Sequence, residues 1–138
     1  MAVIANIAIA DGANTPVTHT YVPIKSGLSA EWKRTGVAGQ PAVAVESLKA
    51  NLKLADSASG VNKVVLDLSL PVLEQTAGSS QSGYVAPPAL AHTPRFQVTF
   101  FAHQRSTADD RKNLRVLLSN ALLNSQIIDL IDNLTPPN

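Results

Sequence analysis

The chain has 138 residues, a length that fits one domain over residues 1–138 with a core of its own. Aromatic residues are only 4% of the sequence, so Val, Leu, Ile and Ala must supply most of that core. Charged residues are 15%, below the usual share of about a quarter, which favours a surface partly covered by other subunits. Cysteine is absent, which excludes disulfides and thiolate metal sites. The net charge is only +1, so any contact with nucleic acid would depend on a few well-placed basic residues.

The N-terminal part of the sequence predicts a β-hairpin followed by a third strand. Residues 3–10 are short and apolar, residues 11–14 are typical of a turn, and residues 17–22 are rich in β-branched and aromatic side chains. A further turn leads into residues 28–34, which contain the single Trp, and a break follows at residues 36–41.

The next two predicted strands show the clearest pattern, because apolar and polar residues alternate along both. Leu or Ala occupies every second position from 48 to 54, and Val or Leu every second position from 64 to 70, with a turn at residues 56–60 between them. A last strand with the same alternation covers residues 95–100. This period of two predicts one apolar face and one polar, basic face.

A long segment without periodicity, residues 74–91, separates the last two strands. It contains a Gly- and Ser-rich stretch at 78–83 and then Pro87 and Pro88. A loop of this length in a compact domain is usually functional, so we expect an interaction element here.

Beyond residue 105 the apolar period changes from two to 3.6, which predicts two helices. Ser106 or Thr107 is the expected N-cap of the first helix, and Asn124 is that of the second. The result is an α+β layout: a β-hairpin, an antiparallel sheet and two C-terminal helices that can cover its apolar face.

Catalytic and metal-binding patterns are absent from the sequence. The Gly- and Ser-rich stretch lacks the Lys-Ser/Thr pair of a phosphate-binding loop, and His19, His92 and His103 fall in different predicted elements. We therefore expect no catalytic residue, no metal and no cofactor. No apolar run approaches the roughly 18 residues of a membrane span, so no membrane partner is expected.

Four C-terminal segments carry a resemblance to a known family. They are FQVTFF at 96–101, STADDR at 106–111, LLSNALL at 117–123 and IDLIDNLTP at 128–136. In this order and spacing they resemble the coat proteins of the small single-stranded RNA phages, the levivirus and allolevivirus group. The segments AEW at 30–32 and LSLPV at 68–72 agree, and the resemblance extends over essentially the whole chain.

The resemblance implies a five-stranded antiparallel sheet and an interlocked homodimer, in which the helices of each subunit pack over the partner's sheet. Dimers would build an icosahedral shell in the cytoplasm of the bacterial host, and the virion would contain single-stranded genomic RNA and one maturation protein. The residues expected at the dimer interface are Leu114, Leu117, Leu118, Leu122, Ile127 and Ile131. Those expected in a loop at the shell vertices are Thr76, Gly78, Ser80, Gly83, Tyr84, Pro87 and Pro88.

In this family the polar face of the sheet binds RNA, including a hairpin that acts as a translational operator for the replicase. Carried over strand by strand, the RNA-binding positions are Ser47, Lys49, Asn51, Lys53, Lys63, Val65, Asp67, Ser69, Thr93, Arg95 and Gln97. Lysines and Arg95 suit phosphates, whereas Asn and Ser side chains suit bases and sugars. The family has a tyrosine near the start of the last strand, where this chain has Ala91 and His92. Base stacking would therefore fall to His92 or be absent.

Two other classes of function remain open to the residues themselves. A non-viral α+β binding module could use the polar sheet face for RNA or a small ligand, and its basic residues could equally be an ordinary solvated face. An enzyme would need a nucleophile–base pair or a metal set, neither of which the sequence offers. Particle formation separates a coat protein from a binding module, and turnover would identify an enzyme.

Overall fold

The structure is a computed structural model that describes residues 3–74, 83 and 87–137. The chain divides into two compact units. The first contains residues up to 54 and residues 62–101, and holds most of the β-structure. The second contains residues 55–61 and the residues from 102 onward, and holds the helices.

Six antiparallel strands form the main sheet, in the spatial order β1-β2-β3-β4-β5-β8. This is one strand more than the five expected, because both strands of the N-terminal hairpin belong to the same sheet. The six strands are β1 (Ile7–Ala10), β2 (Thr18–Lys25), β3 (Ser29–Arg34), β4 (Ser47–Lys53), β5 (Val61–Ser69) and β8 (Arg95–His103). A short 3₁₀ helix, Ala42–Ala44, precedes β4.

A separate two-stranded ladder closes the base of the long loop. It pairs β6 (Val72–Leu73) with β7 (Leu90–His92), so the predicted irregular segment 74–91 ends in a short strand. Pro94 follows, and because proline has no N–H to donate, the ladder is interrupted before β8 begins.

Strand register explains which residues share a face. Trp32 lies opposite Leu48, and Ala50 lies opposite Leu66, so apolar residues of three neighbouring strands point to the same side. Successive residues of a strand point to opposite faces of the sheet. The residues between these apolar positions therefore form the other, polar face. The alternation in the sequence is thus reproduced in three dimensions.

Both helices begin where the sequence predicts. The first, α1 (Ala108–Ala121), has Thr107 as its N-cap, and Thr107 and Asp110 form a reciprocal capping box with N···O distances of 3.1 and 3.0 Å. Asn124 caps the second, α2 (Ser125–Asp132). Among the described residues no single helix is long and apolar enough to cross a membrane, and the two helices have that length and composition only as a pair bent by 67°.

Few hydrophobic side chains are buried in the described part of the chain. They are Tyr21, Ala44 and Ala102, and two of the three are alanines. Neither helix buries a residue. The apolar stripes that predicted these elements are therefore largely exposed in the single chain.

A buried carboxylate connects the N-terminal hairpin to the strands beside it. Glu46 is 5% exposed and accepts hydrogen bonds from Tyr21 Oη at 2.8 Å and Arg34 Nη1 at 2.6 Å. His19 Nδ1 lies 2.8 Å from the same carboxylate, and His19 Nε2 lies 3.1 Å from Asp11 in the hairpin turn.

Burial and hydrogen bonding act in opposite directions on the acids of this cluster. Burial raises the pKa of Glu46, but its three hydrogen bonds outweigh that effect and hold the pKa below its usual value. Backbone N–H donors in the hairpin turn lower the pKa of Asp11. Burial, reinforced by the adjacent Glu46 carboxylate, raises the pKa of Tyr21 to about 12.

These directions fix how the cluster responds to pH. The stability from the two carboxylates is fully present above their unfolded pKa values of 4.5 and 3.8, and it is lost as the pH falls through the lower folded values. The contribution of Tyr21 is present below pH 10 and is lost as the pH rises from 10 to about 12.

Substitution of Glu46 by Gln tests this cluster. We expect a loss of about 3 kcal/mol in the free energy of unfolding at pH 7, because the buried partners lose their anion. The difference from the parent chain should shrink as the pH falls through the lowered pKa of Glu46, because the parent carboxylate is then protonated as well. Denaturant unfolding at pH 7 and at a series of lower pH values measures both effects.

The matched control for that substitution is Glu31→Gln, which changes a less buried carboxylate whose cation, Lys33 Nζ, lies 4.0 Å away. It should cost less than about 1 kcal/mol. Equal losses for the two variants would show that Glu46 has no special role in stability.

Candidate nucleic-acid interface

Strands β4 and β5 bring eight of the predicted RNA-binding residues together on one face. They form four directly opposed pairs, Ser47–Ser69, Lys49–Asp67, Asn51–Val65 and Lys53–Lys63. Opposed residues of antiparallel strands lie side by side on the same side of the sheet. The polar positions of the two strands therefore make one contiguous surface, called here the basic face.

Arg95 joins this face from the neighbouring strand β8 through an ion pair. Its Nε donates to Asp67 Oδ1 at 2.8 Å, and its Nη2 donates to Asp67 Oδ2, so the pair is bidentate. The hydrogen bond from Arg95 lowers the pKa of Asp67 and raises that of Arg95 itself. Two residues predicted to contact RNA are therefore each other's partners, and Asp67 offsets part of the positive charge.

The remaining predicted residues differ in their solvent exposure and in whether they already have a hydrogen-bond partner. Asn51 and Gln97 are exposed, and Gln97 lies two residues beyond Arg95 on the same side of β8. Val65 is half-buried, and its apolar side chain offers no hydrogen bond. Ser47 and Ser69 are part-buried, with their hydroxyl oxygens 2.7 Å apart, so each already has a partner.

Thr93 and His92 lie outside the six-stranded sheet. Thr93, which we predicted on the last strand, is in the two-residue link before β8, because Pro94 delays the start of that strand. His92, the alternative stacking residue, belongs to β7 in the separate ladder, opposite Val72. Neither side chain is therefore part of the strands that form the basic face.

Register adds residues that the sequence reasoning missed. Ser29, Glu31 and Lys33 on β3 lie opposite Asn51, Lys49 and Ser47, and so extend the basic face by one strand. The signal was present in the sequence, since polar residues alternate with Ala30 and Trp32 along β3. This alternation could not place the three residues on the basic face without the knowledge that β3 pairs with β4.

An aromatic side chain, Phe101, lies at the end of this face where Lys53 and Lys63 are directly opposed. Lys63 Nζ lies 5.8 Å from the centre of the Phe101 ring, on the adjacent strand β8. Phe101 is 63% exposed. The sequence analysis ended the last strand at residue 100, whereas β8 continues to His103 and places Phe101 on the same side as Arg95.

The residues predicted at the dimer interface are available for a partner. Leu114, Leu117, Leu118 and Ile131 are exposed, and Leu122 and Ile127 are half-exposed. Of the predicted vertex loop, Gly83, Pro87 and Pro88 are exposed. The other members, Thr76, Gly78, Ser80 and Tyr84, lie outside the described residues.

A curled antiparallel sheet followed by two C-terminal helices is the arrangement found in RNA phage coat protein structures. The structure of a virus-like particle of bacteriophage ESE058 superimposes with a TM-score of 0.88 at 26% identity, covering 99% of this chain and 100% of that one. A virus-like particle of bacteriophage EMS014 is 31% identical, with a TM-score of 0.75 over 88% of this chain and 75% of that one. The capsid protein of bacteriophage GA shares the fold, with a TM-score of 0.69 at 17% identity over 95% of each chain.

The family model for the levivirus coat protein matches residues 2–137. This chain therefore belongs to the levivirus coat protein family, as the sequence resemblance indicated. A search of the curated proteins gave no match. The protein is accordingly a capsid protein, which is a structural protein and not an enzyme.

Proposed function

We propose that this capsid protein forms a homodimer whose copies assemble into an icosahedral virion shell, with the basic face directed at packaged single-stranded RNA. The observation that carries the proposal is the concentration of positive charge on that one face. Its ligands include genomic RNA and an operator hairpin that represses replicase translation. Assembly takes place in the bacterial host cytoplasm, and one maturation protein joins the shell.

The charge of the basic face exceeds that of the whole chain. On the described strands it has six basic and two acidic side chains, a formal charge of +4, whereas the chain as a whole has +1. Lys25 on β2 belongs to the face because it lies opposite Glu31. The basic residues are therefore Lys25, Lys33, Lys49, Lys53, Lys63 and Arg95, and the acidic ones are Glu31 and Asp67. Phosphate contacts by Lys and Arg supply most of the sequence-independent affinity for RNA, so this asymmetry favours a polyanionic ligand.

Exposed apolar side chains support the dimer. Leu117 on α1 is 64% exposed, and Leu66 and Phe96 on the apolar side of the sheet are also exposed. A soluble protein gains stability by covering such residues, at roughly 25 cal/mol per Å² of apolar surface. A second copy, with its helices against the partner's sheet, covers both sets at once.

A cavity on the apolar side of the sheet gives that partner a place to dock. It has a volume of about 890 Å³, and its lining includes Trp32, Ala30 and Leu52 together with residues 3–7. Trp32 Nε1 donates to the Ala5 carbonyl oxygen at 3.0 Å, so the N-terminal segment is attached along one side. We expect side chains of the second copy to fill this space.

Charge reversal at Lys49 and Lys53 tests the basic face. The double substitution Lys49→Glu/Lys53→Glu should lower the RNA content of the particles severalfold, because it changes the charge of the face by four units. Both side chains are exposed, so the dimer should still form. The ratio of absorbance at 260 and 280 nm measures RNA content, and light scattering measures assembly.

The control for that experiment is Arg105→Glu/Lys112→Glu, which makes the same change in charge at exposed positions that belong to none of the six strands. RNA content should then stay close to that of the parent particles. Unchanged RNA content in the Lys49/Lys53 variant would exclude the basic face as the RNA-binding surface. An equal loss of RNA in the control variant would show that only the net charge of the protein matters.

Substitution of Asp67 by Asn should act in the opposite direction. It releases Arg95 from its ion pair and adds one positive charge to the face, so affinity for single-stranded RNA should rise severalfold. The slope of log K against log salt concentration should steepen by about 0.7, the value for one added phosphate contact. Asp132→Asn on α2 makes the same charge change elsewhere and should leave both quantities unaltered; weaker binding by Asp67→Asn would contradict the assignment.

Substitution of Leu117 by Glu tests the dimer. A charge on this exposed apolar residue should prevent the partner from covering it, and the protein should then elute as a small species without particles. Ser119→Glu introduces the same charge on another side of α1 and should assemble normally. Far-UV circular dichroism establishes that both variants retain their helices, and normal particles from Leu117→Glu would remove α1 from the interface.

A further inference from the structure

One end of the basic face combines an exposed aromatic ring with two cationic side chains. Lys53 and Lys63 are directly opposed across β4 and β5, and Lys63 Nζ lies 5.8 Å from the Phe101 ring centre on β8. The three side chains therefore form one cluster across three neighbouring strands. It is called here the Phe101 corner.

Phe101 differs from the other aromatic residues of the six-stranded sheet. Tyr21 is buried against Glu46, and Trp32 lines the cavity on the apolar side. Phe96 and Phe100 are an odd number of residues from Phe101, so they point to the apolar side of β8. Within the described strands, Phe101 is the aromatic residue on the basic face, and its 63% exposure is unusual for phenylalanine.

The charges around the ring favour an anionic partner over an apolar one. Like charges directly opposite each other on neighbouring strands destabilise a sheet, and the Lys53–Lys63 pair has no carboxylate opposed to it in the register. The two carboxylates of this face lie near other cations, because Asp67 is paired with Arg95 and Glu31 lies 4.0 Å from Lys33 Nζ. A protein surface seated on Phe101 would have to desolvate both ammonium groups, whereas a nucleic acid supplies phosphates for them.

We propose that the Phe101 corner is a base-stacking site, in which an unpaired RNA base lies on the Phe101 ring while Lys53 and Lys63 bind the flanking phosphates. This inference rests on the proposed RNA-binding function of the basic face and assigns it a specific subsite. Single-stranded nucleic acids bind in this way, with aromatic side chains under the bases and basic residues along the backbone. Every base has a π-face, so the site accepts RNA of many sequences.

The test compares two probes on the purified full-length protein freed of nucleic acid. One is a short fluorescent oligoadenylate, and the other is an oligomer of the same length with stable abasic residues in place of the bases. Phe101→Leu keeps the apolar volume and removes the ring. It should weaken oligoadenylate binding about tenfold, within the range of one lost base stack, and leave abasic binding unchanged.

Two matched variants separate stacking from structural damage. Phe101→Tyr retains an aromatic ring and should bind oligoadenylate as the parent protein does. Phe100→Leu makes the same change at the neighbouring residue on the opposite side of β8 and should have no effect on either probe. Circular dichroism and thermal unfolding check that each variant is folded.

Three results would overturn the inference. Unchanged oligoadenylate binding by Phe101→Leu, together with the loss in Lys49→Glu/Lys53→Glu, would leave RNA binding by the face intact but remove the stacking site. Equal weakening of both probes would mean that Phe101 merely positions Lys63. Parent-like binding of both probes by the Lys49/Lys53 variant would refute the proposed function, and the subsite with it.

Discussion

The scarcity of buried apolar residues within one chain is the constraint on which the rest of the structure depends. The described residues bury two alanines and a tyrosine as their hydrophobic interior, while leucines and isoleucines of both helices remain exposed. Apolar burial is the dominant favourable term in folding, so the chain must gain much of it from contacts with other subunits. The low proportion of charged residues, 15%, has the same origin, because surface intended for interfaces cannot be covered with charge.

With so little apolar interior, polar contacts acquire a larger part in fixing the strands. Glu46 connects residues of β2 and β3 to the segment before β4, and His19 extends the network to Asp11 in the hairpin turn. A buried carboxylate is stabilising only when its partners are in place, so this arrangement favours one position of the hairpin over others. The hairpin belongs to the main sheet and lies beside β3, at one edge of the basic face.

The sequence predicts those parts of the fold that depend on local periodicity and capping. The alternation along β4 and β5, the Thr107 and Asn124 caps and the change to a 3.6-residue period all agree with the structure. Features that depend on which strands are neighbours could not be predicted. The basic face gains β3 through its pairing with β4, and it loses Thr93 because of a single proline. Phe101 was missed because its role depends on Lys63, which is 38 positions away in the sequence.

Within the proposed function, the opposed lysines link RNA binding to assembly. A pair such as Lys53–Lys63 costs stability in the free subunit, and that cost disappears when phosphates lie between the ammonium groups. Dimers that have bound RNA are then relieved of repulsion that empty dimers retain, so RNA favours the assembled state through linkage. A face with a charge of +4 on a chain of net charge +1 leaves a formal charge of −3 on the other residues, so the positive charge that RNA would neutralise is confined to this face. The distribution of charge, more than its total, therefore suits a protein that must associate both with RNA and with copies of itself.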